Sequence, residues 1–104
     1  MAGFVQIIEF TTSRPDELRA LSEELRRQRQ ASGDGTSPLR VTFTADRDRP
    51  GHYVNVIEFE SYEAAMENSN RPDTTAFAAK MAELCEGPPK FSNLDVVQTW
   101  EPGQ

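Results

Sequence analysis

The sequence has little of three residues that often build rigid sites: it contains one cysteine, one histidine and one tryptophan in 104 residues. A lone Cys85 excludes an internal disulfide framework, and zinc would need carboxylate ligands, so we expect no structural metal. Basic residues are also few, 11 against 17 acidic ones, giving a net charge of -6 at pH 7. We therefore expect no nucleic-acid partner, because a phosphate backbone attracts basic surfaces.

Long hydrophobic runs are missing as well. The opening residues, MAGFVQIIEF, have no basic segment and only a short apolar run. Neither a secretory signal nor a membrane span is predicted, and we expect a cytoplasmic protein with no membrane partner.

The first forty residues predict a strand followed by a helix. Residues Phe4 to Thr11 are rich in β-branched and aromatic side chains, which is typical of a strand buried on both faces. The hydroxyl, proline and acidic residues of the segment from Thr12 to Glu17 predict a helix start. Leucines 18, 21 and 25 form its apolar stripe, and the helix is expected to end before the Ser32-Gly33-Asp34-Gly35 connection.

The middle of the chain predicts a hairpin. Apolar residues alternate with polar ones from Leu39 to Thr44, and strand composition resumes from His52 to Glu60. The turn residues between them favour antiparallel pairing.

The last forty residues predict a broken helix and a final strand. Ser61 is placed to cap a helix that Pro72 interrupts, and a new helical turn is expected near Asp73. Residues Phe91 to Trp100 are predicted to form the last strand.

This βαββαβ order predicts one α+β domain over residues 1–104, of ferredoxin-like topology, with a four-stranded antiparallel sheet and helices on one face. Strand one has apolar residues on both sides, Phe4, Ile8 and Phe10 against Val5 and Ile7, and strand three likewise has Val54 and Val56 against Ile57 and Phe59. The sheet face that the helices leave uncovered is therefore predicted to be apolar. Because that apolar face needs a cover, we expect a homodimer.

One segment carries a family resemblance. The run Glu58-Phe59-Glu60-Ser61-Tyr62-Glu63-Ala64-Ala65-Met66-Glu67-Asn68, followed by Thr75-Ala76-Phe77, resembles the dimeric α/β-barrel superfamily, especially its antibiotic-biosynthesis monooxygenase-like branch. That branch commonly has a Trp between acidic residues and a His on the following helix. Here Phe59 and Asn68 stand at those two positions.

The resemblance implies a dimeric α/β barrel and a choice of activities. Known members include cofactor-independent monooxygenases of polyketide phenols, haem-degrading enzymes and lactone isomerases. The haem-degrading members match poorly, because this chain has no Trp or His between Glu60 and Gly87. No cofactor is expected.

Three residues of the third strand are the catalytic candidates. Asn55, between two valines, is suited to orient a substrate oxygen, and Tyr53 is suited to donate a phenolic proton. Alternation places these two on one face and His52, the residue best suited to act as a base at neutral pH, on the other. Each has a structural alternative: a satisfied asparagine, an interface tyrosine and an exposed strand-edge histidine.

The ligand-binding candidates are Asn68 and Arg71 at the helix break, Phe59 through the resemblance, and Trp100 near the chain end. The structural alternative for Asn68 and Arg71 is helix capping and solubility, which is the commoner role of such residues, and the alternative for Trp100 is burial against a partner subunit. Two functions follow from these candidates. The first is a cofactor-independent monooxygenase or isomerase acting on a small aromatic or polyketide-like molecule. The second is a non-catalytic dimeric small-molecule-binding or accessory protein.

Overall fold

The computed structural model describes residues 2–32 and 38–103. Its elements follow the order β1 (Phe4–Thr11), α1 (Pro15–Ser32), β2 (Arg40–Ala45), β3 (His52–Phe59), α2 (Tyr62–Ser69), α3 (Pro72–Leu84) and β4 (Lys90–Asp95). Within the described ranges, no helix has the length and apolar character needed to cross a membrane.

The four strands form one antiparallel sheet in the order β2-β3-β1-β4. β1 and β3 are central: Phe4 pairs with Phe59, and Thr11 pairs with His52. The predicted ferredoxin-like α+β architecture is therefore confirmed, with the second helical region divided into α2 and α3 at Pro72. The predicted glycine-rich connection, apart from Ser32, lies outside the described residues.

The last strand is shorter than predicted. β4 ends at Asp95, whereas the composition suggested a strand reaching Trp100. Asp95 pairs with Phe4, the first residue of β1, so the neighbouring strand offers no further partner. One more backbone hydrogen bond, from Val96 to the carbonyl of Gly3 at 3.0 Å, closes the ladder.

The helices cover one sheet face and bury two apolar clusters there. In the first, Ile8 and Phe10 of β1 pack with Leu18 of α1 and Met81 of α3. In the second, Phe4 and Phe59 pack with Ala65 of α2. These contacts hold α1 and α3 side by side over the centre of the sheet.

Side-chain hydroxyls fix the start of the helical segments. The Thr12 hydroxyl accepts a hydrogen bond from the Arg14 amide at 3.0 Å and donates to the carbonyl of Leu84 at 2.5 Å, joining the start of α1 to the end of α3. Ser61 caps α2 as predicted, accepting from the Ala64 amide at 3.1 Å.

No described helix covers the second sheet face, which we call the open face. Strand register places its apolar residues together on adjacent strands: Val5, Ile7, Val54, Val56 and Leu94. Ion pairs flank them, Arg40 with Glu58 at 2.6 Å and Lys90 with Glu9 at 3.9 Å. The open face thus has an apolar centre and a charged border.

Candidate functional site

A cavity of about 220 Å³ lies between the sheet and helices α1 and α3. Its mouth lies beside β2, an edge strand whose six residues are all exposed. Most of its walls are apolar or aromatic, and a few polar side chains interrupt them. The lining residues are Phe10, Pro15, Leu18, Arg19, Ser22, Phe43, Thr44, Ala45, Tyr53, Asn55, Phe77 and Met81.

Asn55 contributes the buried polar group of this cavity. It is 9% exposed and lies in the middle of β3, with Ile8 and Phe43 as its apolar cross-strand neighbours. Its side-chain amide makes no hydrogen bond to any residue in the described ranges. A buried asparagine normally has such partners. Its amide is therefore available to a ligand oxygen or hydroxyl.

Tyr53 lies two residues before Asn55 on the same face and also lines the cavity. Its ring stacks on Phe10, with centroids 5.7 Å apart and planes 19° apart. Within the described part of the chain, its hydroxyl has no hydrogen-bond partner. The cavity thus brings Asn55 and Tyr53 together, as strand alternation predicts.

Arg19 and Ser22 also line the cavity, and the sequence reading did not select them. With Pro15, they recur at spacings of four and three residues, so they share one edge of α1. That edge borders the apolar stripe that includes Leu18. The helical spacing of these residues indicates that they share one edge of α1. It does not indicate a ligand site, because an arginine on the surface of a helix is ordinarily expected to contact only water.

His52 lies on the open face, away from the cavity. Its side chain is 19% exposed, and Nε2 lies 3.8 Å from a carboxylate oxygen of Glu9 on the neighbouring strand. Nε2 is buried without a hydrogen-bond partner among the described residues. The expectation of an exposed strand-edge histidine is therefore wrong, because β3 is a central strand and the His52 ring lies beside the Glu9 side chain of β1 on the open face. Glu9 also lies 3.9 Å from Nζ of Lys90 on the strand at its other side.

Asn68 and Arg71 belong to a polar network outside the cavity lining. The side-chain Oδ1 of Asn68 accepts a hydrogen bond from Arg29 at 2.7 Å, and Asn68 is 9% exposed. Arg29 and Arg71 both donate to Asp73, at 3.1 and 3.0 Å. Hydrogen bonds from Arg71 and Arg29 hold the pKa of Asp73 well below its ordinary value. The network ties α1 to the start of α3.

The two aromatic candidates also lie apart from the cavity. Phe59 is 1% exposed and packs against Phe4 and Ala65 in the second core cluster. Trp100 is 79% exposed and follows the last strand. Cys85 is partly buried at the end of α3, and burial raises the pKa of its thiol, which favours the unreactive protonated form.

Known structures resemble this fold closely. SnoaB, a cofactor-independent oxygenase from Streptomyces nogalater, superposes with a TM-score of 0.75 over 95% of this chain and 97% of its own, at 17% identity. An antibiotic biosynthesis monooxygenase gives a TM-score of 0.69 at 18% identity, over 91% of this chain and 99% of its own. Rv0793 from Mycobacterium tuberculosis gives 0.69 at 20% identity, over 96% and 100%.

The chain shares their fold. This confirms, for the fold, the predicted resemblance to the antibiotic-biosynthesis monooxygenase-like branch. No protein-family model matches the sequence. The comparison with curated proteins likewise gives no match.

Proposed function

We propose that this chain is a cofactor-independent monooxygenase that oxidises a small aromatic phenol in the cavity between sheet and helices. The observation that carries the proposal is Asn55, a residue only 9% exposed whose side-chain amide lines an apolar cavity and has no hydrogen-bond partner among the described residues. Convergent polar groups in an apolar cavity are the usual form of a small-molecule site. The fold shared with SnoaB, a cofactor-independent oxygenase, supports the same assignment.

Different side chains of the cavity are proposed to bind the aromatic ring and to stabilise the charge on its oxygen. Phe10, Phe43 and Phe77 provide aromatic walls for a planar ring system. The Asn55 amide N–H and the Tyr53 hydroxyl are placed to donate hydrogen bonds to the oxygen of a bound phenolate. Such donors stabilise the negative charge that makes the ring electron-rich enough to react with O₂.

The overall reaction balances without a cofactor. For 1-naphthol, the two hydrogens that are lost are the one on the hydroxyl and the one on the ring carbon opposite it: 1-naphthol and O₂ give 1,4-naphthoquinone and water. The substrate supplies all the electrons that reduce O₂, one oxygen atom enters the ring, and the other leaves as water. The protein needs only to hold the phenolate and shield it from bulk solvent.

The test uses 1-naphthol and ¹⁸O₂ with the purified protein. We expect 1,4-naphthoquinone that contains one labelled oxygen, and a large loss of that product in Asn55→Leu. Asn93→Leu is the matched control, because Asn93 lies on the same sheet face, outside the cavity, and accepts from Gln6 at 3.1 Å. Production of quinone at equal rates in both variants would contradict the proposal.

A second candidate function is supported by one observation. Among the described lining residues there is no carboxylate, imidazole or thiol that could act as a general base. A cavity of this kind is sufficient for a non-catalytic binding protein. Stoichiometric binding of 1-naphthol without any quinone would favour this candidate over the monooxygenase.

We propose further that two copies of the chain join through their open faces. The apolar centre of Val5, Ile7, Val54, Val56 and Leu94 supports this assembly, since burial of apolar surface drives association. Trp100 and Val97, 79% and 95% exposed, follow β4 and are available to pack against the second copy. The cavity lies on the opposite side of the sheet, so its mouth stays accessible. Sedimentation at low micromolar concentration tests this proposal, and a stable monomer would contradict it.

A further inference from the structure

One charged side chain borders the cavity. Of the described residues that line it, Arg19 alone carries a formal charge at neutral pH. Its side chain is 68% exposed, so the guanidinium lies in water at the mouth while the apolar walls lie behind it. The protein as a whole carries a charge of -6. A local cation therefore matters for any anionic ligand, because the net field of the protein repels anions.

The guanidinium of Arg19 has N–H donors beyond the one that Asp16 accepts from. One of its nitrogens, Nη2, donates to the carboxylate of Asp16 one turn earlier on α1. A guanidinium has five N–H donors, so this bond leaves others for a carboxylate in the mouth. Asp16 is itself 88% exposed, and water solvates much of its charge. A ligand carboxylate would thus share Arg19 with Asp16.

The volume of the cavity limits the ring system. An apolar protein cavity of about 150 Å³ binds benzene. The cavity here, at about 220 Å³, is about half as large again. It therefore suits a molecule of two fused rings, with substituents that extend through the mouth.

We infer that the ligand of this cavity is an aromatic acid: a two-ring phenol whose carboxylate lies at the mouth against Arg19 while its hydroxyl lies inside near Asn55. This inference rests on the proposed function and adds the substrate class to it. Arg19 is then the residue that selects anionic over neutral aromatics. Asn55 and Arg19 would hold opposite ends of one molecule.

Binding of two matched probes tests the inference. 2-Naphthoate carries the carboxylate, and 2-naphthamide is its neutral near-isostere; both are titrated calorimetrically at low salt. Arg19→Gln should weaken naphthoate binding about fivefold, the upper effect of a solvent-exposed ion pair, and change naphthamide binding by less than about twofold. Raising the salt concentration should weaken naphthoate binding alone.

Arg26→Gln is the matched control. Arg26 lies on the same helix, is 65% exposed and pairs with Glu23 at the same three-residue spacing, but it does not line the cavity. It should leave the affinity of both probes unchanged. Asp16→Asn, which removes the competing carboxylate, should tighten naphthoate binding.

The outcomes separate this inference from the proposed function. Equal affinity of the two probes, with no effect of Arg19→Gln, would overturn the aromatic-acid inference and leave the cavity as a site for neutral aromatics. Equal losses in Arg19→Gln and Arg26→Gln would also overturn it, because a general charge effect would then explain the result. Binding of neither probe would overturn the inference and the cavity proposal together.

Discussion

Two asparagines of equal burial allow a sharp test of the site. Asn55 and Asn68 are each 9% exposed. The side-chain Oδ1 of Asn68 accepts from Arg29 at 2.7 Å, whereas the side chain of Asn55 has no hydrogen bond to a described residue. Replacing each by leucine changes shape and polarity in the same way. Only the substitution at Asn68 should nevertheless destabilise the fold.

The magnitudes follow from the hydrogen bonds. Asn68→Leu removes a hydrogen bond from a charged donor, so it should lower the free energy of unfolding by about 2 kcal/mol. Asn55→Leu removes an amide that makes no hydrogen bond to a described residue and replaces it with an apolar group against apolar walls, so stability should stay unchanged or rise by up to about 1 kcal/mol. The same substitution should weaken 1-naphthol binding about threefold to tenfold, the worth of one neutral hydrogen bond.

Urea denaturation followed by circular dichroism measures both effects. All variants are compared at one protein concentration, because a dimer's stability depends on concentration. Equal slopes of the unfolding free energy against urea would show that the variants expose similar surface on unfolding. A destabilisation of Asn55→Leu by more than about 1 kcal/mol would refute the reasoning, since it would mean that the Asn55 amide has a stabilising partner.

Three further predictions concern other parts of the molecule. The folded-state pKa of Asp73 lies below its ordinary 3.8, so the ionised carboxylate stabilises the fold above that pH and this contribution is lost as the pH falls further. Asp73→Asn should therefore lower the free energy of unfolding by about 1 kcal/mol at pH 7. Acid unfolding should show a progressively smaller difference between the two proteins below pH 4. Ile7→Asp, which places a charge in the apolar centre of the open face, should yield monomers in sedimentation experiments. The fluorescence of Trp100 should shift to shorter wavelength as protein concentration rises, and an emission maximum independent of concentration would argue against its burial by a second copy.

The pattern of apolar residues was sufficient to predict the fold. β1 begins and ends as predicted, because a run of β-branched and aromatic residues is bounded by clear turn and capping signals. The end of β4 was not predictable in this way. Residues beyond Asp95 have strand-like composition, but a strand also needs a partner, and β1 begins at Phe4.

The candidate site was predictable only in part. Alternation along β3 is a local property, so it correctly placed Tyr53 and Asn55 on one face and His52 on the other. The partner of Asn68 depends on which residue of α1 meets the end of α2, a contact 39 positions apart in sequence. Arg19 was not predicted as a site residue, because the sequence indicates that it is exposed on a helix but does not indicate that the helix edge borders a cavity.

The separation of His52 from the cavity has a consequence for the chemistry. The described lining residues include no imidazole or carboxylate, so a phenol must lose its proton to water through the mouth or bind already ionised. We therefore expect the rate of 1-naphthol oxidation to rise with pH and to reach its midpoint at an apparent pKa set by the phenol. A chlorinated 1-naphthol, which is more acidic, should move that midpoint to lower pH by nearly the difference between the two phenols. Midpoints that stay near pH 6.5 with both substrates would contradict this argument, because an imidazole base would then control the reaction.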